Sequence, residues 1–395
     1  MRWRGALLFP APEQGWAWAT VPVVGRPGLV RILLTLRRAG IQEVILPPDA
    51  DTLRPWLMSY EDQDNFPRLL WLAQNNWPDV AASAPLLGVR GGMLFTPHLL
   101  RWFHEALGRM PTGKAMRHID DPLPVLLSCT LPEMRGVTSD GLRLELLAAH
   151  LRTPAVTIPQ DLFCQTTAAL AQPGRDRELL TLVGKPTDRW HVEWVRRWTF
   201  PAIRWLAGTR VTPNHVTWAG FLMALLACGL IAQGQYWLGI VGALLLYASW
   251  VLDCMDGTLA RLTFAESAFG QKLDTILGHL TNLGIFSALI WAVYGQSAAW
   301  QAAVMAVFML GGITLAYYVS KKEQSSRASH GAVSHGQLRG WLDKINHRDY
   351  AVVILLLAIV NGFAIFLWLS VVGVHIYWLL RLWLIRKHQR ALVPA

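Results

Sequence analysis

Two textures of apolar residues divide the chain near residue 180. Up to that point apolar runs of strand length, GALLF, EVILP, PVLLS and AVTIP, alternate with helix-like stretches such as LVRILLTLRRAG. That alternation predicts an α/β domain over residues 1–180, Rossmann-like, with a mainly parallel sheet. Further on, apolar stretches of bilayer-spanning length, about 20 residues each, occupy roughly 215–233, 236–255, 277–296, 299–319, 350–370 and 371–386. They predict an all-α transmembrane domain of six helices over 214–390, the last two meeting at a turn near Ser370. Between the two, segment 181–213 contains DRWHVEWVRRWTFPAIRWLAG, in which Trp and Arg recur at helical spacing. This is the pattern of an amphipathic helix lying in the membrane interface, and an ordinary juxtamembrane flank is the plainer reading.

Composition agrees with the second texture. Apolar residues make up 53% of the 395 and charged residues only 16%, and the mean hydropathy is +0.30. The net charge of +10 could suggest nucleic acid, but the basic residues cluster beside the apolar spans, where they face anionic head groups, so no nucleic-acid partner is expected. The links AQGQYW and VYGQSAAW carry no Lys or Arg, whereas the 320–349 loop and the tail after Arg386 are rich in both. The positive-inside rule then places both termini, and the stretch around Arg261 and Lys272, on the cytoplasmic side of a cytoplasmic (inner) membrane. Cys129, Cys164, Cys228 and Cys254 lack CxxC spacing, which indicates neither a disulfide framework nor a zinc site. The opening MRWRGALLFPAPEQ breaks its apolar run with proline and an acid and reads as no secretory signal.

The stretch DCMDGTLARLTFAESAFGQKLDTILGH, at 253–279, sets three acids among apolar spans. Asp253 and Asp256 share a helix face at i, i+3, and two like charges near hydrocarbon call for a cation between them. With Asp274 on the next helix they form a hard oxygen donor set suited to Mg²⁺ or Mn²⁺. Gly257, Ala260 and Gly270 keep the surroundings narrow, so that a ligand could approach the backbone, and Arg261 is placed to meet a phosphate. The plainer alternative pairs the acids with Arg261 and Lys272 to pin two helices.

Asp253, Asp256, Gly257, Ala260, Arg261, Gly270 and Asp274 fit the pattern D-x2-D-G-x2-A-R-x8-G-x3-D-x3-D, and so resemble the CDP-alcohol phosphotransferases. TPNHVT at 212–217 is similar to that family's motif at the start of its first membrane helix. The resemblance implies a two-metal membrane enzyme. It would move a phosphoalcohol from a CDP-alcohol to an acceptor hydroxyl and release CMP, in phospholipid or inositol-phosphodiester synthesis. It further implies metal ligation by Asp253, Asp256 and Asp274. Contacts to the CDP part would come from Thr212, Pro213, Asn214, His215, Gly257, Ala260, Arg261, Ser267 and Gly270. Acceptor phosphate would be met by basic residues such as Lys321, Lys322, Arg348 and Arg381; for the loop residues, positive-inside anchoring is the plainer reading. A second copy of the chain is a further candidate partner. The departure is Gly278, where the family's pattern places its fourth acid, the general base. His279 is the nearest titratable substitute, although one residue along a helix turns a side chain by about 100°.

The first domain departs similarly. VVGRPGLVRILLTLRRAGIQEVILP and LLGVRGGMLFTPHLL resemble segments of sugar-phosphate nucleotidyltransferases, and with KPTD at 185–188 the layout is similar to bifunctional inositol-phosphate cytidylyltransferase and di-inositol-phosphate-phosphate synthase fusions. Yet APEQGWAWAT replaces the glycine-rich basic loop, and Gly91-Gly92 stand where the metal acid belongs. A degenerate domain without nucleotidyl transfer is expected, an unrelated Rossmann-like domain being the alternative. Two readings of the whole follow: a CDP-alcohol phosphotransferase, or a catalytically impaired membrane module that binds a CDP-alcohol or nucleotide and organises a partner. A transporter would call for an inverted repeat, and none is apparent.

Overall fold

A computed structural model describes the chain except residues 1, 2, 4, 13, 62–64, 73–84, 108–113, 118–122, 131–143, 151–154, 159–163, 173, 174, 184–189, 296–298, 331–349 and 393–395. KPTD at 185–188 and Arg348 therefore lie outside the described residues. The chain folds as two compact units, Met1–Arg210 with Arg261–Phe264, and Val211–Ala260 with Ala265–Ala395.

The first unit is built on a sheet of β1 (Gly5–Phe9), β2 (Glu43–Leu46), β3 (Arg68–Trp71), β4 (Pro85–Arg90), β5 (Lys114–Arg117), β6 (Pro124–Thr130) and β7 (Ala155–Thr157). Their order is β7-β5-β6-β4-β1-β2-β3, with β6 antiparallel to its neighbours and the other pairs parallel. Strands covered on both faces read as continuous apolar runs, and every residue of GALLF in β1 is buried. Helix α1 (Gly28–Arg38) follows a tight hairpin at Pro22–Pro27 and buries Leu29, Val30, Ile32, Leu33 and Leu36.

The chain winds outward from β1 through β2 to β3, then returns to β4 on the other side of β1, so the order reverses between β1 and β4. Open α/β sheets bind ligands at such a crevice. Here the chain fills it with its own Trp18. A Cβ added at Gly91, just after β4, would lie 2.5 Å from the Phe9 carbonyl oxygen and 2.6 Å from the Trp18 ring. The Trp16 and Trp18 indole N–H groups are buried without a hydrogen-bond partner.

Helix α2 (Trp190–Ala207) leaves Trp194, Trp198 and Trp205 exposed beside Arg197, which pairs with Glu193. The helices that follow are α3 (Pro213–Ala232), α4 (Tyr236–Thr263), α5 (Ala268–Ile290), α6 (Ala299–His330), α7 (Tyr350–Ile359) and α8 (Phe363–Leu392). Among the described residues five spans are long and apolar enough to cross a membrane, those of α3, α4, α5 with its π-helical extension to Gly295, α6 and α8. Large apolar side chains stand exposed on them, Val307 at 73%, as a bilayer-facing surface allows. The predicted turn near Ser370 is corrected. Asn361, with φ +54°, and Gly362 turn the chain between α7 and α8, and Ser370 lies inside α8.

The end of α4 is unusual. Ala265 N–H donates to the Ala260 carbonyl in a Schellman closure, which puts Phe264 at the left-handed position with φ +57°. Glycine is the ordinary residue there, and a side chain costs about 1–2 kcal/mol.

Candidate active site

Helix periodicity places Asp253 and Asp256 on one face of α4, and α5 brings Asp274 to them. One carboxylate oxygen from each lies within 4.8 Å of the others. Asp256 is 7% exposed, Asp253 half-buried and Asp274 exposed. Thr217, from the first turns of α3, donates its hydroxyl to Asp256 Oδ2 at 2.6 Å. The three acids line one narrow cavity with Thr217, Ser249, Gly278 and Thr281. Thus three helices supply the site, and the position at which the pattern expects its fourth acid opens onto it.

A second group gathers around Gly270. Ser267 caps the N-terminus of α5 by accepting the Gly270 N–H at 2.9 Å. A Cβ added at Gly270 would stand 2.9 Å from Asn214 Oδ1 and 3.1 Å from Ser267 Oγ, so the missing side chain lets Asn214 approach. Thr212 and His215 form a capping box at the start of α3, the Thr212 N–H donating to His215 Nδ1 at 3.3 Å, with Pro213 in its first turn. Gly257 follows Asp256 directly on α4, and the Ala260 carbonyl is spent in the closure of that helix.

Other predicted residues stand elsewhere. Within the first unit Arg261 donates its Nε to the Val183 carbonyl at 2.7 Å. The half-buried His279 ring stacks on Tyr317 at 4.4 Å between centroids and is not among the residues lining the cavity. Lys321 and Lys322 are exposed on α6. Arg381, on α8, donates Nη1 to Glu323 Oε2 at 2.7 Å, both side chains 5% exposed. It lies 5.0 Å from the Tyr377 ring centroid, and the Tyr377 hydroxyl is 3.4 Å from that of Ser320.

Two residues that bond to predicted site residues were not picked out from the sequence. Glu323 partners Arg381, and its signal was an acid at the end of an apolar span. Thr217 lies inside the TPNHVT motif, four residues after Pro213, so it shares the face of the motif's start.

Residues 210–377 match the family described as CDP-alcohol phosphatidyltransferase. Phosphatidylinositol phosphate synthase of Cutibacterium acnes is 35% identical over 123 residues, 30% of this chain and 57% of that protein. Archaetidylinositol phosphate synthase of Pyrococcus horikoshii is 34% identical over 113 residues, 28% and 55% of the two chains. The bifunctional IPC transferase and DIPP synthase of Aquifex aeolicus is 24% identical over 145 residues, 37% of this chain and 32% of that one. The chain thus spans a little over half the length of the first two relatives.

Proposed function

We propose that the protein is a membrane CDP-alcohol phosphotransferase. It passes a phosphoalcohol to an acceptor hydroxyl: the acceptor oxygen bonds to phosphorus as the bond to CMP breaks. The observation that carries this reading is the convergence of Asp253, Asp256 and Asp274 within 4.8 Å, at the cavity where Gly278 and Thr217 also lie. Three carboxylates are a hard oxygen donor set that fits Mg²⁺ or Mn²⁺, and these residues would hold the metal. A divalent cation held there would supply positive charge to offset the negative charge of the diphosphate and the departing CMP. Thr217 orients Asp256 through its hydrogen bond. Asn214, Ser267 and Gly270 stand close together because Gly270 has no side chain, and the cytidine part falls to this group.

The acceptor is a polyol phosphate, a reading supported by relatives named phosphatidylinositol phosphate and archaetidylinositol phosphate synthases. Its phosphate falls to Lys321, Lys322, Arg348 and Arg381, with Glu323 offsetting the charge of the last. The basic loops support a cytoplasmic-membrane protein with both termini cytoplasmic. The first unit is a degenerate nucleotidyltransferase-like domain, a reading supported by Trp18 in its crevice and Gly91 where an acid belongs. Gly278 favours one second reading, a module that binds the CDP-alcohol but turns it over poorly.

Metal-dependent release of CMP from CDP-diacylglycerol and inositol phosphate, in membranes or detergent, tests the proposal. Asp256→Asn should abolish that release and most Mn²⁺ binding. Unchanged Mn²⁺ affinity in the variant would sink the metal assignment. Donor binding without CMP release in the parent would move the protein to the second reading.

A further inference from the structure

Among the described residues three non-glycine positions have positive φ, Val24, Phe264 and Asn361. Two of them meet at one side chain. Arg31, on α1 and 1% exposed, donates Nε to the Val23 carbonyl at 2.6 Å and Nη2 to the Val24 carbonyl at 3.0 Å. The same Nη2 donates to the Leu262 carbonyl at 3.0 Å, and the guanidinium lies 5.4 Å from the Phe264 ring centroid. Arg38, two turns along α1, stands 4.1 Å from the same centroid and reaches the Arg261 carbonyl from both terminal nitrogens at 3.4 and 3.5 Å. All of these residues belong to the first unit.

The chemistry is that of a helix C-terminus held by cations. The carbonyls of Arg261 and Leu262 are in the last turn of α4, at the negative end of the helix dipole, where cations are favourable. Burial, with Arg26 and Arg38 nearby, lowers the Arg31 pKa to about 9, which still leaves it charged at neutral pH. Nη1 of Arg31 is buried without a partner, so this guanidinium is committed to the clamp at a cost in lost hydrogen bonding. An aromatic side chain at the left-handed closing position persists only where its surroundings over-determine it, and such strain gathers at functional sites. Helix α4 runs unbroken from Tyr236 to Thr263, so its last turn is continuous with the turn of Asp253 and Asp256 through the helix's own hydrogen bonds.

We propose that Arg31 and Arg38 are positioning residues, closing on Phe264 and the last carbonyls of α4 to fix the turn that presents Asp253 and Asp256. The proposal rests on the transferase reading for its kinetic consequence, but not for its structural one. It gives the α/β domain a task that needs no nucleotide. The strain at Phe264 makes the test sharp: Phe264→Gly relieves the backbone while removing the ring, so a merely stabilising role predicts no loss.

The full-length protein is compared as parent, Arg38→Ala, Arg38→Lys and Phe264→Gly, by amide hydrogen exchange over residues 258–266 and by CMP release. Arg38→Ala and Phe264→Gly should each speed exchange in that segment by about tenfold or more, with the other spans unchanged. Each should lower kcat by about threefold to tenfold with the donor KM within about twofold, and Arg38→Lys should recover most of the loss. Exchange and kcat within about twofold of the parent in both variants would overturn the clamp. A parent that releases no CMP would count against the transferase reading alone, and the exchange result would then decide the clamp.

Discussion

An acid at position 278 would stand one turn after Asp274 on α5, and Gly278 already lines the cavity of Asp253, Asp256 and Asp274. If the general base alone is missing, Gly278→Asp should raise CMP release at least about tenfold, a conservative part of the effect of a restored base. His279→Ala is the paired control. Since that ring stacks on Tyr317 and is not among the cavity-lining residues, its loss should leave CMP release within about twofold of the parent. A parent abolished by His279→Ala, with Gly278→Asp adding little, would make His279 the base. Asp253 and Asp256 were legible because helix periodicity fixes which residues share a face, and Asp274 because it stands at the spacing of the motif on the next helix. Thr217 was not, because a hydroxyl in an apolar run also reads as a side chain bonding its own helix, and Thr217 does bond the Pro213 carbonyl as well, at 3.1 Å.

Element boundaries were harder to read than elements. The Asn361-Gly362 turn sits inside what hydropathy alone joins into one long apolar stretch. Hydropathy averages over about 20 residues, whereas a turn needs two, and Asn-Gly was the local signal to weigh above it. The antiparallel β6 was equally hidden, since a buried strand of either direction is apolar throughout. Arg381 announced itself as a charge within a span, but its partner lay 58 residues away on α6, a separation that no local pattern spans. The pair joins α6 and α8, both side chains nearly excluded from solvent. Glu323→Ala should remove the carboxylate partner of a buried guanidinium and cost about 3–5 kcal/mol, read as loss of thermal stability in detergent. Replacing both residues together, Glu323→Leu with Arg381→Met, should cost clearly less, because neither charge is then stranded. Equal losses in the single and double variants would show that the pair contributes through packing and not through charge.

At the scale of the whole molecule two acids expected from family patterns are replaced by glycine, and the surroundings differ. Gly278 lines a cavity shared with carboxylates. Gly91 is closed in by the Phe9 carbonyl and the Trp18 ring, so an acid restored at 91 would need the backbone or the indole to move. On the proposed reading that difference separates the two units: one has a site furnished with carboxylates, and the other has Trp18 in its crevice. The full-length protein should therefore release no pyrophosphate from CTP and inositol phosphate. Trp18→Gly should lower stability by about 3–5 kcal/mol, the ordinary effect of emptying a packed aromatic position, without creating pyrophosphate release, because APEQGWAWAT brings no basic residue for the phosphates. Gly91→Asp should destabilise the parent and be better tolerated beside Trp18→Gly, since removing the indole relieves one of its two collisions. Pyrophosphate assays and thermal melts of the four proteins distinguish the cases. Pyrophosphate release by the parent would show that Trp18 yields to nucleotide, and the first unit would then be a working nucleotidyltransferase after all.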